Sequence, residues 1–134
     1  MSPQEIVDQM MEKDAFSKWL EVDIVLIDKG VCELTCTVRD EMLNGHQIAH
    51  GGITYSLSDS ALAFASNAYG QKCLSIETSI AHVHPVNSGD LLHVQCKELY
   101  RGKTIGIYTV SVHNQDDEIV SRFKGTVHIS DKVW

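Results

Sequence analysis

Basic residues are scarce in this chain. Eleven lysines and arginines stand against eighteen aspartates and glutamates in 134 residues, a formal net charge of −7. Generic nucleic-acid binding needs a contiguous cationic face, so that partner class is excluded. No run approaches the ~18 apolar residues of a membrane span, so no membrane partner is expected. Residues 1–13 carry Glu5, Asp8 and Glu12 and lack the cationic start and apolar centre of a secretory signal; the expected location is the cytoplasm. Cysteine is limited to Cys32, Cys36, Cys73 and Cys96, with no Cys-x-x-Cys. On one strand Cys32 and Cys36 would stand about 13 Å apart, beyond disulfide reach. The four therefore read as small buried hydrophobes in a reducing compartment.

What remains is ordinary for a globular chain: 43% hydrophobic and 22% charged residues, in a length that suits one core. With no internal repeat, low-complexity tract or linker, residues 1–134 read as a single domain. Pro3 to about Trp19 is predicted as one helix, capped by Ser2 with proline at its first position, and Phe16, Trp19 and Leu20 anchor its end. Leu20–Asp28 and Val31–Val38 form a hairpin around Lys29-Gly30, the second strand placing Cys32, Leu34, Cys36 and Val38 on one face. Residues 39–49 have no regular period and contain Asn44-Gly45, which marks a loop. Four further strands are predicted over Leu74–His84, Leu91–Leu99, Thr104–His113 and Ile119–Ile129.

Between the loop and these strands lies one long helix, running without proline or glycine from Ile53 to Gly70. Ile53, Leu57, Ala61, Phe64, Ala65 and Ala68 form its main apolar stripe, yet Leu62 and Ala63 lie on the other side. Such a helix belongs inside the fold. An antiparallel sheet wrapped around it gives an α+β domain in which one side of the helix still needs a loop or a second subunit. Asp59 sits on that side. An ionisable group there needs a partner or a chemical role.

At the helix start, Gly51 and Gly52 offer free backbone N–H groups at the positive end of the dipole, suited to a developing oxyanion, with Asn44 and His50 as side-chain donors or loop supports. Asp59 lies ~12 Å further along the axis, too far to act on the same carbonyl within one chain. Either it is structural, accepting hydrogen bonds from Ser56, Ser60 or nearby backbone, or it serves a site completed by another subunit. His46 with His50 and His82 with His84 have spacings that a metal could use, but neither pair has a third ligand at a recognised spacing; no metal is expected. No Gly-x-Ser-x-Gly elbow is present. Arg101-Gly102-Lys103-Thr104 is a cationic turn that is either simply solvated or holds phosphate, with Lys124 as a partner on the adjacent strand.

The block Leu43-Asn44-Gly45-His46-Gln47, followed by His50-Gly51-Gly52 and by Asp59 nine residues after the histidine, resembles the hotdog-fold acyl-CoA thioesterases, above all their phenylacetate-degradation branch. The likeness runs from Phe16 through Pro85 and Gly89-Asp90 to Gly125-Thr126. It implies a central helix wrapped by a curved antiparallel sheet, paired into homodimers and into dimers of dimers. It also implies that the Gly51 N–H polarises the thioester carbonyl, assisted by Asn44, while Asp59 of the partner subunit activates water or attacks directly. His50 would support the loop, and Ser75 would help hold the water. Coenzyme A would be part of the substrate rather than a separate cofactor, its nucleotide near the turn from Tyr100 to Ile105 with His82 beside it. The Leu62/Phe64 region and the 39–49 loop would line the acyl pocket. The expected activity is hydrolysis of an aromatic or medium-chain acyl-CoA. The competing expectation is a non-catalytic acyl-CoA-binding module of the same fold.

Overall fold

The computed structural model describes residues 1–134 throughout. In chain order the elements are α1 (Pro3–Lys13), α2 (Ala15–Leu20), β1 (Asp23–Asp28), β2 (Val31–Thr37), a single 3-10 turn (Asp40–Met42), α3 (Gly51–Asn67), β3 (Gln71–His82), β4 (Leu91–Arg101), β5 (Ile105–His113) and β6 (Ile119–Val133). The strands form one six-stranded sheet in the order β1-β2-β4-β5-β6-β3, antiparallel at every pairing. It curls around α3, the α+β arrangement that the sequence predicts.

Strand register explains why the sheet holds the helix. Cys32, Cys96, Val110 and Phe123 are successive partners across β2, β4, β5 and β6, and all four are buried against α3. The adjacent inward row is Leu34, Val94 and Val112. Leu57, Ala61, Leu62, Phe64 and Ala65 of α3 fill the space between these rows. Each buried Leu, Val or Phe side chain contributes roughly 1.5–3 kcal/mol. All four cysteines are buried and free, and burial pushes the Cys32 thiol up to about 12 and that of Cys36 up to about 11.

The N-terminal helix differs from its prediction. It breaks at Asp14, whose carboxylate accepts a hydrogen bond from the Ser17 N–H at 2.9 Å and so caps a new helix. Phe16 and Trp19 do not anchor the end: they are exposed and stack on each other, and only Leu20 enters the core. Within the predicted 39–49 loop, the 3-10 turn and an isolated bridge between Leu43 and Ala49 supply local order. At the far end of α3, Asn67 is a buried amide bonded to both the N–H and the C=O of Cys73, which ties the helix to β3.

At Gly125 on β6 the sheet leaves no room for a side chain beneath α3. A Cβ there would lie 2.6 Å from Leu62 Cδ2 and 3.1 Å from the Phe123 ring. Glycine is required by this contact rather than by its backbone angles. Gly125→Ala should destabilise the protein by about 1–3 kcal/mol, the ordinary cost of overpacking, measured as a lower urea midpoint with an unchanged slope.

Candidate active site

The site begins where α3 starts. Its first backbone donors are not equivalent. The Ile53 N–H is bonded to the His50 carbonyl at 2.9 Å, and the Gly52 N–H to His50 Nδ1 at 2.8 Å. His50 is thus the N-cap, and its imidazole accepts through Nδ1, which places the ring proton on Nε2. The Gly51 N–H has no acceptor within the chain and is left pointing out of the positive end of the helix.

Gly51 opens into a cleft of about 350 Å³ that also includes Asn44, Thr54 and His82, with an apolar side formed by Ile48, Val83, Pro85 and Val120. Asn44 is fixed by its own loop, its Oδ1 accepting from the N–H groups of His46 at 2.8 Å and Ile48 at 3.4 Å. That leaves its Nδ2 as a free donor in the cleft. Asn44 and Gly51 therefore meet His82, which is distant in sequence, at one cleft, with His50 capping the helix at its edge.

Asp59 is elsewhere. It is half-buried on the stripe of α3 that the sheet leaves uncovered, and no hydrogen bond or ion pair of its own chain reaches its carboxylate. The structural reading, in which Ser56 or Ser60 serves it, is not realised: the Ser60 hydroxyl bonds Ser17 at 2.8 Å, and Ser17 in turn donates to Asp14 at 2.7 Å. Part of the uncovered side is thus roofed by α2. Burial raises the Asp59 pKa above its usual value, and the nearby negative charge of Asp14 raises it further.

The other predicted residues are dispersed. Ser75 is exposed on β3, opposite Val127, seven positions or ~23 Å along the strand from His82. Arg101 is engaged by side chains of its own chain. Its guanidinium stacks 3.7 Å over the Tyr69 ring, donates to the Ser66 carbonyl and to the Tyr108 hydroxyl, and lies 3.9 Å from Glu98. A cation at a helix C-terminus, inside a polar cluster, is the stable place for that side chain. Gly102, Lys103 and Thr104 form the turn beyond it, with Lys103 and Thr104 exposed. Lys124 is not their neighbour. It pairs with Thr109 and Ser79, whereas Thr104 bonds Ile129, five residues or ~17 Å further along β6. Leu62 and Phe64, expected to line the acyl pocket, are wholly inside the core. His84 lies 3.6 Å from Glu118 at the rim.

Sequence reasoning missed Thr54, Asp14 and Ser17. Asp14 carried a readable signal, an aspartate three residues before a serine in a helical stretch. Thr54 carried none, because its link to His82 crosses from α3 to β3.

A helix wrapped by one antiparallel sheet, with a free backbone donor at its start and an unpaired carboxylate on the same helix, is the arrangement of a hotdog domain. Residues 46–121 match the thioesterase superfamily, and the chain belongs to it. It is 38% identical to the acyl-coenzyme A thioesterase PaaI of Escherichia coli over 89% of this chain and 85% of that one. The solved structure of the E. coli PaaI protein, from the phenylacetic acid degradation operon, superposes with a TM-score of 0.95 at 34% identity, covering 98% of this chain and 95% of that one. The smu.793 protein of Streptococcus mutans, solved with acetyl CoA, gives a TM-score of 0.82 at 27% identity, over 84% and 91% of the two chains.

The upward shift at Asp59 has a consequence for stability. A carboxylate whose pKa is higher folded than unfolded favours the folded state when protonated, and this contribution is lost as pH rises through the folded value. Asp59→Asn should therefore melt at a higher temperature than the wild type at pH 7. The difference should shrink toward zero as pH falls below about 4, as followed by thermal denaturation across pH.

Proposed function

We propose that this protein is an acyl-CoA thioesterase whose active site is shared between two subunits. The observation that carries this reading is the division of groups on α3. The Gly51 N–H is free at the cleft, and an unpaired Asp59 lies eight residues along the helix, ~12 Å away. One chain presents both halves and can bring neither to the other. A second copy, oppositely oriented, supplies the missing carboxylate. The E. coli relative named as an acyl-coenzyme A thioesterase and the S. mutans relative bound to acetyl CoA support the choice of substrate.

In this reading the thioester carbonyl oxygen accepts from the Gly51 N–H, with the Asn44 amide as a second donor. Asp59 of the partner subunit removes a proton from water as the water oxygen bonds the carbonyl carbon. The carbon–sulfur bond then breaks, the leaving thiolate takes up the proton held by Asp59 and departs as coenzyme A, and the acyl group departs as the free acid. The helix N-terminus needs no rearrangement to stabilise the tetrahedral oxyanion. The apolar side of the cleft favours an aromatic, phenylacetyl-like, or medium-chain acyl-CoA.

The edge strand β3 is the proposed pairing surface. Its outer side has no strand partner, and Leu74 and Ile76 stand 79% and 58% exposed along it. Open, apolar edges of this kind invite a further strand. We propose a homodimer formed there, assembling further into a dimer of dimers and acting in the cytoplasm.

Asp59→Asn should lower turnover of phenylacetyl-CoA at least a hundredfold, measured by release of free thiol. Near-wild-type release would exclude Asp59 as the base, whereas acyl-CoA binding without any thiol release by the wild type would identify a non-catalytic module. Proline at Gly51 removes the N–H and suits the first position of a helix, so mixing inactive Gly51→Pro and Asp59→Asn chains under verified subunit exchange should restore activity, because a mixed dimer retains one intact site.

The acid side of the pH–kcat/KM profile should follow Asp59, with activity lost as pH falls through its raised value. Asp14→Asn keeps the cap of α2 but removes the neighbouring charge. Its profile should shift to lower pH than that of the wild type.

A further inference from the structure

We infer that His82 recognises the amide nearest the sulfur in the coenzyme A arm, making it a specificity-determining residue beside the oxyanion donor. This rests on the thioesterase reading above. His82 ends β3, and its imidazole is set directly beside Gly51: a Cβ built on that glycine would lie 3.2 Å from Nε2 and 3.4 Å from Cε1. Nδ1 lies 3.2 Å from the Thr54 hydroxyl, and that hydroxyl donates to the Gly51 carbonyl at 3.2 Å. A hydroxyl has one hydrogen. With that hydrogen given to Gly51, Thr54 can only accept from His82, so the neutral ring carries its proton on Nδ1. Nε2 is left as an acceptor with no partner in the chain.

The cleft therefore presents two adjacent, unused groups of opposite sense, the Gly51 N–H as donor and His82 Nε2 as acceptor. A substrate matching both has a carbonyl oxygen with an N–H donor a few bonds away. The thioester end of acyl-CoA has this pattern: the carbonyl is followed by sulfur, two methylenes and the amide N–H of the cysteamine unit. The carbonyl takes the Gly51 N–H, and the amide N–H donates to His82. The bond from Thr54 fixes the ring from the far side, and Gly51 leaves room for it because any side chain there would press on the imidazole. His82 then places the thioester without taking part in bond making or breaking. This differs from a position next to the nucleotide, which the resemblance alone implies.

The test compares two small thioesters of phenylacetate, one of N-acetylcysteamine, which keeps the amide, and one of butanethiol, which lacks it. The readout is the ratio of their kcat/KM values. In His82→Phe the preference for the N-acetylcysteamine ester should fall about tenfold, the scale of one hydrogen bond with its partner left unsatisfied, and the change should lie mainly in KM. His82→Gln, whose side-chain oxygen can accept near the position of Nε2, should recover part of the preference. A merely structural role would depress both esters together and leave the ratio unchanged. An unchanged ratio in active His82→Phe would overturn the assignment to His82 while leaving the thioesterase reading intact. A wild type inactive on phenylacetyl-CoA and on both esters would instead overturn the thioesterase reading, and this proposal with it.

Discussion

One curved sheet cannot cover the whole circumference of α3, and much else in the molecule follows from that. The helix buries Ile53, Leu57, Ala61, Leu62, Phe64 and Ala65, which requires β2, β4, β5 and β6 to present inward rows in register. At Gly125 no side chain fits beneath Leu62. The remaining stripe, through Gly52, Ser56, Asp59 and Ala63, stays half-open. The Asp14–Ser17–Ser60 chain pins α2 over one flank of it. The proposed function has a second subunit, paired through β3, complete the site to which this stripe contributes Asp59. The same geometric shortfall that invites that subunit leaves a carboxylate available for chemistry.

The two ends of α3 are treated oppositely, in keeping with its dipole. At the C-terminal end, polar groups are satisfied internally: Arg101 meets the Ser66 carbonyl, the Tyr108 hydroxyl bonds Glu98 at 2.9 Å, and Asn67 holds Cys73. At the N-terminal end one donor is left free. Had the Gly51 N–H been capped like that of Gly52, the cleft would be a packed helix start with no free backbone donor.

Much of this was legible in the residues. The element order, the antiparallel wrap and the buried helix followed from period-two strands around one helix that is apolar nearly all round. The meeting of Asn44, His50 and Gly51 followed from their closeness in sequence. The break at Asp14 was hidden because Ile6 through Trp19 keeps a helical pattern across it, and a single side-chain cap decided the outcome. The inward turn of Arg101 could not be read, because its partners Tyr69, Gln71 and Tyr108 come from other segments. Lys124 was misplaced for a related reason. A hairpin tip and a strand residue look adjacent until the register is known, and the register is set by the inward apolar row.

The side chains around the start of α3 share a design that bears on how the site could act without rearrangement. Asn44 uses its oxygen on the backbone of its own loop, His50 uses Nδ1 on the Gly52 N–H, and His82 uses Nδ1 on Thr54. Each is thereby held by one polar atom and leaves the other unbonded. Side chains anchored in this way lose little further freedom when a ligand arrives, and their dipoles are already oriented when charge develops on the carbonyl oxygen. Asp59 is the exception, with no anchoring bond in its own chain. A base must keep its lone pairs available, and a carboxylate accepting several hydrogen bonds would have a depressed pKa and a weaker pull on a proton. Its isolation therefore suits the base that the proposed function makes it, while the anchored groups suit recognition.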